Sequence, residues 1–200
     1  CFLIEAGTPG CIVGRAEEKM GQHASATNEL LLQDCRVPGS ALMGKLNDGF
    51  RIAVSELAGG RIGIGSLGLG LGLQAIETAT RYALERKQFD QSISNFQAIQ
   101  WKIADATTEL EAARLLLMNA AFRKEQGRSY AKEASMAKLF ATEAANRACY
   151  EAMQIYGGYG YTTEFAVERY CRDARITTIY EGTSEIQRLI IAREVLRSYS

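Results

Sequence analysis

The sequence predicts a mainly α-helical fold, an antiparallel four-helix bundle preceded by a short antiparallel β-region. Both prolines, Pro9 and Pro38, lie in the first 48 residues, where short apolar runs alternate with turn residues. The remaining residues contain no proline and carry four apolar stripes at helical spacing. Helices of this kind bury their stripes against one another. The predicted domains are therefore residues 1–48 and residues 49–200.

Strands are expected wherever the β-region is apolar. Its apolar runs are residues 2–4, 11–13 and 30–32, and turn-rich segments at residues 7–10 and 37–40 separate them. Alternation of short apolar runs with Gly, Pro and Ser is typical of strands joined by tight turns. Three strands are therefore predicted here.

Four apolar stripes at three- and four-residue steps predict four long helices. The third stripe consists of alanine, whose small side chain lets neighbouring helices approach closely. Turn residues break the pattern at residues 89–95, 127–129 and 157–161. The stripes are formed by Phe50, Val54, Leu57, Ile64, Leu67 and Leu71; by Ile99, Ile103, Leu110, Leu117 and Ala121; by Ala134, Ala137, Ala141, Ala144, Ala148 and Ala152; and by Ile186, Leu189, Ile190 and Leu196.

A glycine-rich segment in the first predicted helix imitates a nucleotide-binding motif. Residues 63–68 satisfy the G-x-G-x-x-G pattern. A dinucleotide-binding fold needs a strand directly before these glycines, whereas a helical stripe precedes them here. We therefore reject that interpretation. Close packing against another helix, or contact with a ligand, would offset the cost of about 1 kcal/mol that each glycine imposes on a helix.

Composition excludes several classes of function. Lys plus Arg and Asp plus Glu both number 23, so no net charge draws the chain toward nucleic acid or an anionic membrane. The five cysteines are widely spaced and form no Cys-x-x-Cys, which predicts a reducing compartment and neither a metal site nor a disulfide framework. The single histidine, His23, receives no role. The longest apolar run, residues 62–73, is shorter than the roughly 20 residues that span a bilayer, so the sequence predicts a soluble protein.

One carboxylate, Glu181, stands out as a candidate catalytic base. Ile176, Ile179 and Tyr180 precede it and are expected to exclude water from it. Removal of water disfavours the charged carboxylate and suits it to accepting a proton from a substrate. The alternative is an ordinary helix start, in which Glu181 is an acid near the positive end of the helix dipole.

The two residues after this acid favour a turn that opens the last helix. Gly182 permits close approach of the backbone to a ligand, and Thr183 is a suitable N-cap. The sequence therefore predicts that Glu181 lies in a turn rather than within a helix.

Six short motifs follow one another along the chain. They are Gly-Arg at 60–61, Glu-Arg-Lys-Gln-Phe at 85–89, Phe-Gln at 96–97, Gln-Ile-Tyr-Gly-Gly-Tyr-Gly-Tyr at 154–161, Arg-Asp-Ala-Arg at 172–175 and Arg-Ile-Thr-Thr-Ile-Tyr-Glu-Gly-Thr-Ser-Glu at 175–185. In this order and spacing they resemble the acyl-CoA dehydrogenases, flavoproteins that desaturate acyl thioesters. Residues 19–22 and 34–38 resemble the end of that family's middle domain. The resemblance implies that residues 1–48 are a remnant of an antiparallel β-domain.

The resemblance implies an activity and a cofactor. The expected reaction is α,β-dehydrogenation of an acyl-CoA to a trans-2-enoyl-CoA, with Glu181 removing the α-proton and N5 of flavin adenine dinucleotide (FAD) accepting hydride. Arg61 and Gly182 are expected to contact the acyl-CoA. The matching flavin contacts are Arg86, Gln88, Phe89, Gln97, Gln154, Gly157, Gly158, Thr183 and Glu185. Some relatives carry their base directly before the arginine that matches Arg61, where this chain has Gly60.

Partners and location also follow from the resemblance. A homotetramer is expected, with FAD contacted across a subunit interface and electrons passed to an electron-transfer flavoprotein. The expected location is the cytoplasm of a bacterium or the mitochondrial matrix of a eukaryote, and not the exterior of the cell. Two alternatives stay open: an acyl-CoA oxidase-like flavoprotein that reduces oxygen, and a helical oligomerisation module without catalysis.

The chain departs from the family pattern at one residue and in length. Asp90 stands where the family commonly has glycine, and an acid there would weaken phosphate binding or cap the helix that follows. The family's amino-terminal helical domain and the first part of its β-domain have no counterpart here. The sequence is therefore expected to be a portion of the enzyme.

Overall fold

The computed structural model describes residues 1–199 and confirms the mainly α-helical prediction. Within these residues the chain forms five α-helices and two short β-hairpins. It divides into two compact units, residues 1–57 and the residues from 58 onward. The first long helix begins at Gly49. The domain boundary placed between residues 48 and 49 stays a prediction.

A two-stranded antiparallel hairpin occupies the first unit. Strand β1 (Cys11–Ala16) pairs with β2 (Asn28–Leu32), and Cys11 lies opposite Leu32. Both strands contain the apolar runs from which they were predicted. Most of their apolar side chains stay exposed, Val13 among them. The hairpin therefore buries little apolar surface of its own, and two strands alone are marginally stable in water.

The strand predicted at residues 2–4 is wrong. Only Phe2 pairs, in an isolated antiparallel bridge with Leu42. A 3-10 turn at Gly39–Ala41 directly precedes the partner segment, and so the backbone available for pairing is short. An apolar run alone does not specify a strand when its partner is irregular.

Four of the five helices correspond to the four predicted stripes. They are α1 (Gly49–Glu85), α2 (Gln97–Glu125), α3 (Ala131–Tyr156) and α5 (Ser184–Arg197). A small hairpin, β3 (Lys87–Gln88) with β4 (Gln91–Ser92), joins α1 to α2. The fifth helix, α4 (Val167–Arg175), was not predicted. It has nine residues, most of them polar, so its apolar spacing is too short to recognise.

Helix α3 lies at the centre of the second unit because one of its faces is almost entirely alanine. All six alanines of the predicted third stripe are at most 1 % exposed. On the facing side of α1, a Cβ added at Gly68 or Gly72 would touch α3 at Thr142 or Ala145. Residues 63–68 lie inside α1, which confirms the rejection of a nucleotide-binding loop. Helix packing is therefore what these α1 glycines provide.

Substitution of Gly72 by alanine is expected to destabilise the bundle by about 1–3 kcal/mol, because overpacking strains a close-packed core. An added Cβ would lie 2.7 Å from Leu110 Cδ2 and 3.1 Å from Ala145 Cα. Gly70, two residues away on the same helix, has open space around it and serves as the control. Gly70→Ala is expected to stabilise by roughly 0.5–1 kcal/mol through helix propensity. Denaturant unfolding of both variants measures the difference, and equal midpoints would contradict the packing argument.

Helix α1 is also long and apolar enough to cross a membrane, judged by length and composition. Its longest apolar run, which Ser66 interrupts, was predicted to be too short for this. The buried helix of a bundle meets the same criteria, and the α1 residues Ala75, Ile76, Ala79 and Ala83 belong to the main core. Absence of membrane binding stays a prediction.

Candidate functional site

Two consecutive left-handed residues shape the turn in which Glu181 lies. Glu181 has φ 54° and Gly182 has φ 91°. The turn follows a 3-10 segment at Ile176–Thr178 and precedes α5, for which Thr183 is the N-cap, as predicted. A left-handed conformation at a residue other than glycine costs about 1–3 kcal/mol and persists only when its surroundings hold it.

Two buried polar side chains hold this turn. Gln187 Nε2, on α5, donates to the carbonyl oxygens of Glu181 at 3.1 Å and Gly182 at 2.8 Å. Lys138 Nζ, on α3, donates to the same Gly182 oxygen at 2.9 Å. Both side chains are 0 % exposed. The Glu181–Gly182 backbone is therefore fixed from two different helices.

Neither Lys138 nor Gln187 was predicted to belong to this site. A signal for Lys138 was present, since it lies four residues after Ala134 and three before Ala141, on the alanine face of α3. A lysine on a buried stripe requires a polar partner.

The Glu181 carboxylate lies against the backbone of α1. A Cβ built on Gly60 would be 2.6 Å from Glu181 Oε2 and 3.0 Å from its Cδ. That Oε2 atom is buried and has no hydrogen-bond partner among residues 1–199. An unpaired buried carboxylate oxygen is costly, and such atoms are typical of groups that act on a ligand.

The apolar approach to Glu181 differs from the prediction in one residue. Ile179, one of the residues expected to be buried here, is 45 % exposed. The neighbouring Thr177 and Thr178 are buried instead, with Thr177 Oγ1 donating to the Ala174 carbonyl at 2.6 Å. Tyr180 is half-buried, and burial raises the pKa of its hydroxyl. The segment before Glu181 is therefore buried chiefly at its two threonines, whereas Ile179 stays largely exposed.

Arg61 is a buried cation beside this carboxylate. It is 7 % exposed, and its Nε has no hydrogen-bond partner within the described residues. Burial lowers the pKa of the guanidinium, and the negative charge of Glu181 opposes that shift. The structure thus brings together Glu181, Gly182 and Arg61, the three residues predicted to act on the substrate.

Four predicted flavin contacts share one cavity of about 520 Å³, beside the end of α3. Arg86, Gln88, Gly157 and Gly158 line it. Tyr82 and Tyr156 stack with their ring centroids 4.0 Å apart, and the Arg86 guanidinium lies 5.5 Å from the centroid of the Tyr159 ring. A cation beside stacked aromatic rings suits a ligand with an anionic pyrophosphate and planar rings, so these residues fit FAD.

Thr183 and Glu185 line a different cavity, of about 410 Å³, which Glu143, Asn146 and Arg175 also line. Phe89, Gln97 and Gln154, the remaining predicted flavin contacts, line neither cavity. Phe89 is 85 % exposed, and both glutamines are exposed on their helices. Within the described chain, the predicted flavin contacts are therefore divided between separate surfaces.

A further cavity of about 640 Å³, larger than the two just described, contains none of the predicted site residues. It lies between α2 and α3, where Trp101 and Tyr150 border two interhelical ion pairs. Arg147 pairs with Glu109 at 3.0 Å, and Lys102 pairs with Glu151. Size alone does not identify the site here.

Asp90 occupies the turn of the β3–β4 hairpin in a conformation that favours glycine. Phe89 and Asp90 have φ 52° and 61°, the pair of left-handed residues that a tight two-residue hairpin needs. Asp90 does not cap the following turn, because Ser92 Oγ accepts the Ser94 amide instead. Asp90 therefore adopts, at a conformational cost, a backbone conformation that glycine adopts freely.

Substitution of Asp90 by glycine is expected to stabilise the chain by about 0.5–1 kcal/mol, since glycine adopts positive φ without a Cβ penalty. Asp90→Ala removes the same charge but keeps the Cβ, and it is expected to lower stability. Thermal unfolding of both variants separates the two effects. Equal increases in stability from alanine and glycine would show that removal of the charge, and not the backbone conformation, causes the change.

The chain is similar in sequence to a known protein family and to individual members of it. Residues 47–196 match the family described as acyl-CoA dehydrogenase, C-terminal domain. The chain is 48% identical over 196 residues to acryloyl-CoA reductase (NADH) of Anaerotignum propionicum, covering 98% of this chain and 50% of that protein. It is 49% identical over 198 residues to the mitochondrial short-chain specific acyl-CoA dehydrogenase of Mus musculus, covering 99% and 48%.

A solved structure is similarly close. One chain of a structure described as the electron transferring flavoprotein of Acidaminococcus fermentans matches with a TM-score of 0.97 and 47% identity, covering 98% of this chain and 52% of that chain. The present chain thus spans about half the length of the curated relatives it matches.

Proposed function

Because this chain belongs to the acyl-CoA dehydrogenase family, we propose that the complete protein catalyses flavin-dependent α,β-dehydrogenation of an acyl-CoA thioester to a trans-2-enoyl-CoA. One observation carries the proposal. The Glu181 carboxylate is held in a strained turn, with one oxygen buried and unpaired, beside the buried cation Arg61. This arrangement suits a general base that acts in a site without water.

Glu181 removes the proton from the carbon beside the thioester carbonyl. That carbon is a very weak acid, so the base must be positioned against it before reaction. The unpaired Oε2 atom is free to take the proton within the described chain. A positioned base contributes about 10²–10⁴-fold to the rate. FAD, when bound, supplies the hydride acceptor that completes the dehydrogenation.

Cofactor binding is assigned to both of the cavities that contain predicted contacts. Arg86 and Gln88 would hold FAD at the larger one, beside Gly157 and Gly158. Thr183 and Glu185 would hold it at the other. Since these cavities share no lining residue, we assign them to FAD molecules contacted by different subunits, as the resemblance implies. Phe89, Gln97 and Gln154 would then contact FAD from exposed positions.

The proposed assembly is a homotetramer that passes electrons to an electron-transfer flavoprotein. Large apolar side chains on the outer faces of α2 and α5 are exposed in the single chain, among them Leu115, Met118, Phe122, Leu189 and Leu196. Burial of such side chains between subunits is favourable. Light scattering of the complete protein tests the assembly, with four copies expected.

Anaerobic titration of the complete protein with acyl-CoA tests the activity. The protein is expected to carry a flavin absorbance that butyryl-, octanoyl- or palmitoyl-CoA bleaches, with the matching trans-2-enoyl-CoA detected by mass spectrometry. We expect butyryl-CoA to react fastest, because one close relative is specific for short chains. A complete protein that binds no flavin, or whose flavin no acyl-CoA reduces, would exclude this function.

A further inference from the structure

Lys138 is the largest side chain that the described chain buries completely. It comes from the alanine face of α3, where its neighbours on the stripe are small and apolar. Its ammonium group donates a hydrogen bond to the Gly182 carbonyl, 44 residues later in the chain. Placing an ammonium group inside a bundle is expensive, and cores seldom retain one unless it has a partner that matters.

The surroundings of Lys138 are charged. Glu143 on α3, Glu181 in the turn and Glu185 at the start of α5 favour its protonated form, whereas Arg61 on α1 opposes it. Burial outweighs these carboxylates and lowers the pKa of Lys138 to about 8. The ammonium form is therefore present at neutral pH and is lost as the pH rises through about 8. Below that pH, its desolvation is an energetic cost that the fold carries.

The conformation of the Glu181 turn explains why a buried ammonium group is retained here. Glu181 is in a left-handed conformation that it would not keep by itself, and its carbonyl and that of Gly182 are the groups bonded from the interior. Gln187 and Lys138 approach the Gly182 oxygen from different helices. A carbonyl held by two donors cannot rotate without breaking both bonds, and so the direction in which Glu181 projects is fixed.

Given the proposed function, we propose that Lys138 is a positioning residue for Glu181. Its ammonium group binds the Gly182 carbonyl and thereby keeps the Glu181 carboxylate against Gly60 and beside Arg61. Gln187 assists through its bonds to the same backbone. Lys138 does not itself contact the substrate; it orients Glu181 by holding the backbone of the turn.

Lys138→Met in the complete protein tests the proposal, because methionine fills the space without a donor or a charge. The variant is expected to retain flavin and to bind acyl-CoA with unchanged affinity. The rate constant for bleaching of its flavin by acyl-CoA, measured in a single turnover, should fall about 10–100-fold. This is the range expected when a catalytic group shifts by about 1 Å. The control is Lys132→Met on the same helix, where the lysine is partly exposed and pairs at 3.6 Å with Glu133. This control should bleach at the unmodified rate.

A second readout does not need the methionine variant to fold. In the unmodified protein the bleaching rate constant should fall as pH rises through about 8, where Lys138 loses its proton. Lys138→Arg keeps a cation that cannot titrate there, so its rate constant should hold to higher pH. The same alkaline fall in both proteins, or an unchanged rate constant in Lys138→Met, would overturn the role of Lys138.

Parallel measurement of Glu181→Gln separates this inference from the proposed function. Loss of bleaching in Glu181→Gln with no effect of Lys138→Met would reject the positioning role and leave the proposed function standing. Undiminished bleaching in Glu181→Gln would reject the positioning role together with the assignment of Glu181 as the base, because Lys138 would then position a residue without a role, and the dehydrogenation itself would still stand.

Discussion

Replacement of Glu181 by glutamine in the complete protein is expected to leave the flavin spectrum intact. It should slow the bleaching of the flavin by acyl-CoA about 10²–10⁴-fold. Glutamine has nearly the same shape, so the turn and its bonds to Lys138 and Gln187 can persist. The amide cannot accept a proton from carbon. Stopped-flow absorbance during a single turnover measures the effect directly.

The matched control makes the same chemical change where no catalysis is expected. Glu194 lies on α5 and pairs with Arg197 at 3.1 Å on the surface. Glu194→Gln should bleach at the unmodified rate, since surface ion pairs contribute little. Bleaching by Glu181→Gln at the rate of this control would remove Glu181 from the mechanism.

Gly60→Ala is expected to have the second largest effect, a fall of about 100-fold in the bleaching rate with little change in stability. The added methyl group would lie 2.6 Å from Glu181 Oε2, so the carboxylate must move. The displaced atoms belong to the end of a flexible side chain, which is why folding should tolerate the change. A displacement of about 1 Å at a catalytic group costs on the order of 10²-fold in rate.

Gly70→Ala separates this effect from helix propensity, because it introduces the same methyl group on α1 in open space. It should react at the unmodified rate. The unfolding midpoint of Gly60→Ala should stay within a few degrees of the unmodified protein. A Gly60→Ala variant that bleaches as fast as Gly70→Ala would show that the carboxylate does not need its present position.

Local features of the site could be predicted from sequence. The Glu181 turn was recognised because its signals are adjacent in the chain: a glycine that permits positive φ and a threonine that caps the next helix. The long helices were recognised because their apolar spacing persists over many turns. Helix α4 was missed since its nine residues are too few to show a period.

Features that depend on distant contacts could not be predicted. The alanine spacing of α3 places Lys138 on a buried face, but its partner Gly182 lies 44 residues later in the chain, so the contact itself could not be predicted. The burial of Thr177 and Thr178 instead of Ile179 follows from a 3-10 turn, whose side-chain directions differ from those of an α-helix. The pairing of Phe2 with Leu42 likewise depended on a turn that its own sequence does not describe.

The contact between the Glu181 carboxylate and Gly60 relates two positions in the sequence at which a catalytic base could lie. The resemblance implies that some relatives carry their base in the position that Gly60 occupies here, and a side chain at that position would enter the space that the Glu181 carboxylate fills. Two ionised acids crowded into that space would repel each other. We therefore expect this fold to accept an acid at position 60 only where residue 181 is not an acid, because either side chain would place its carboxylate in the same region.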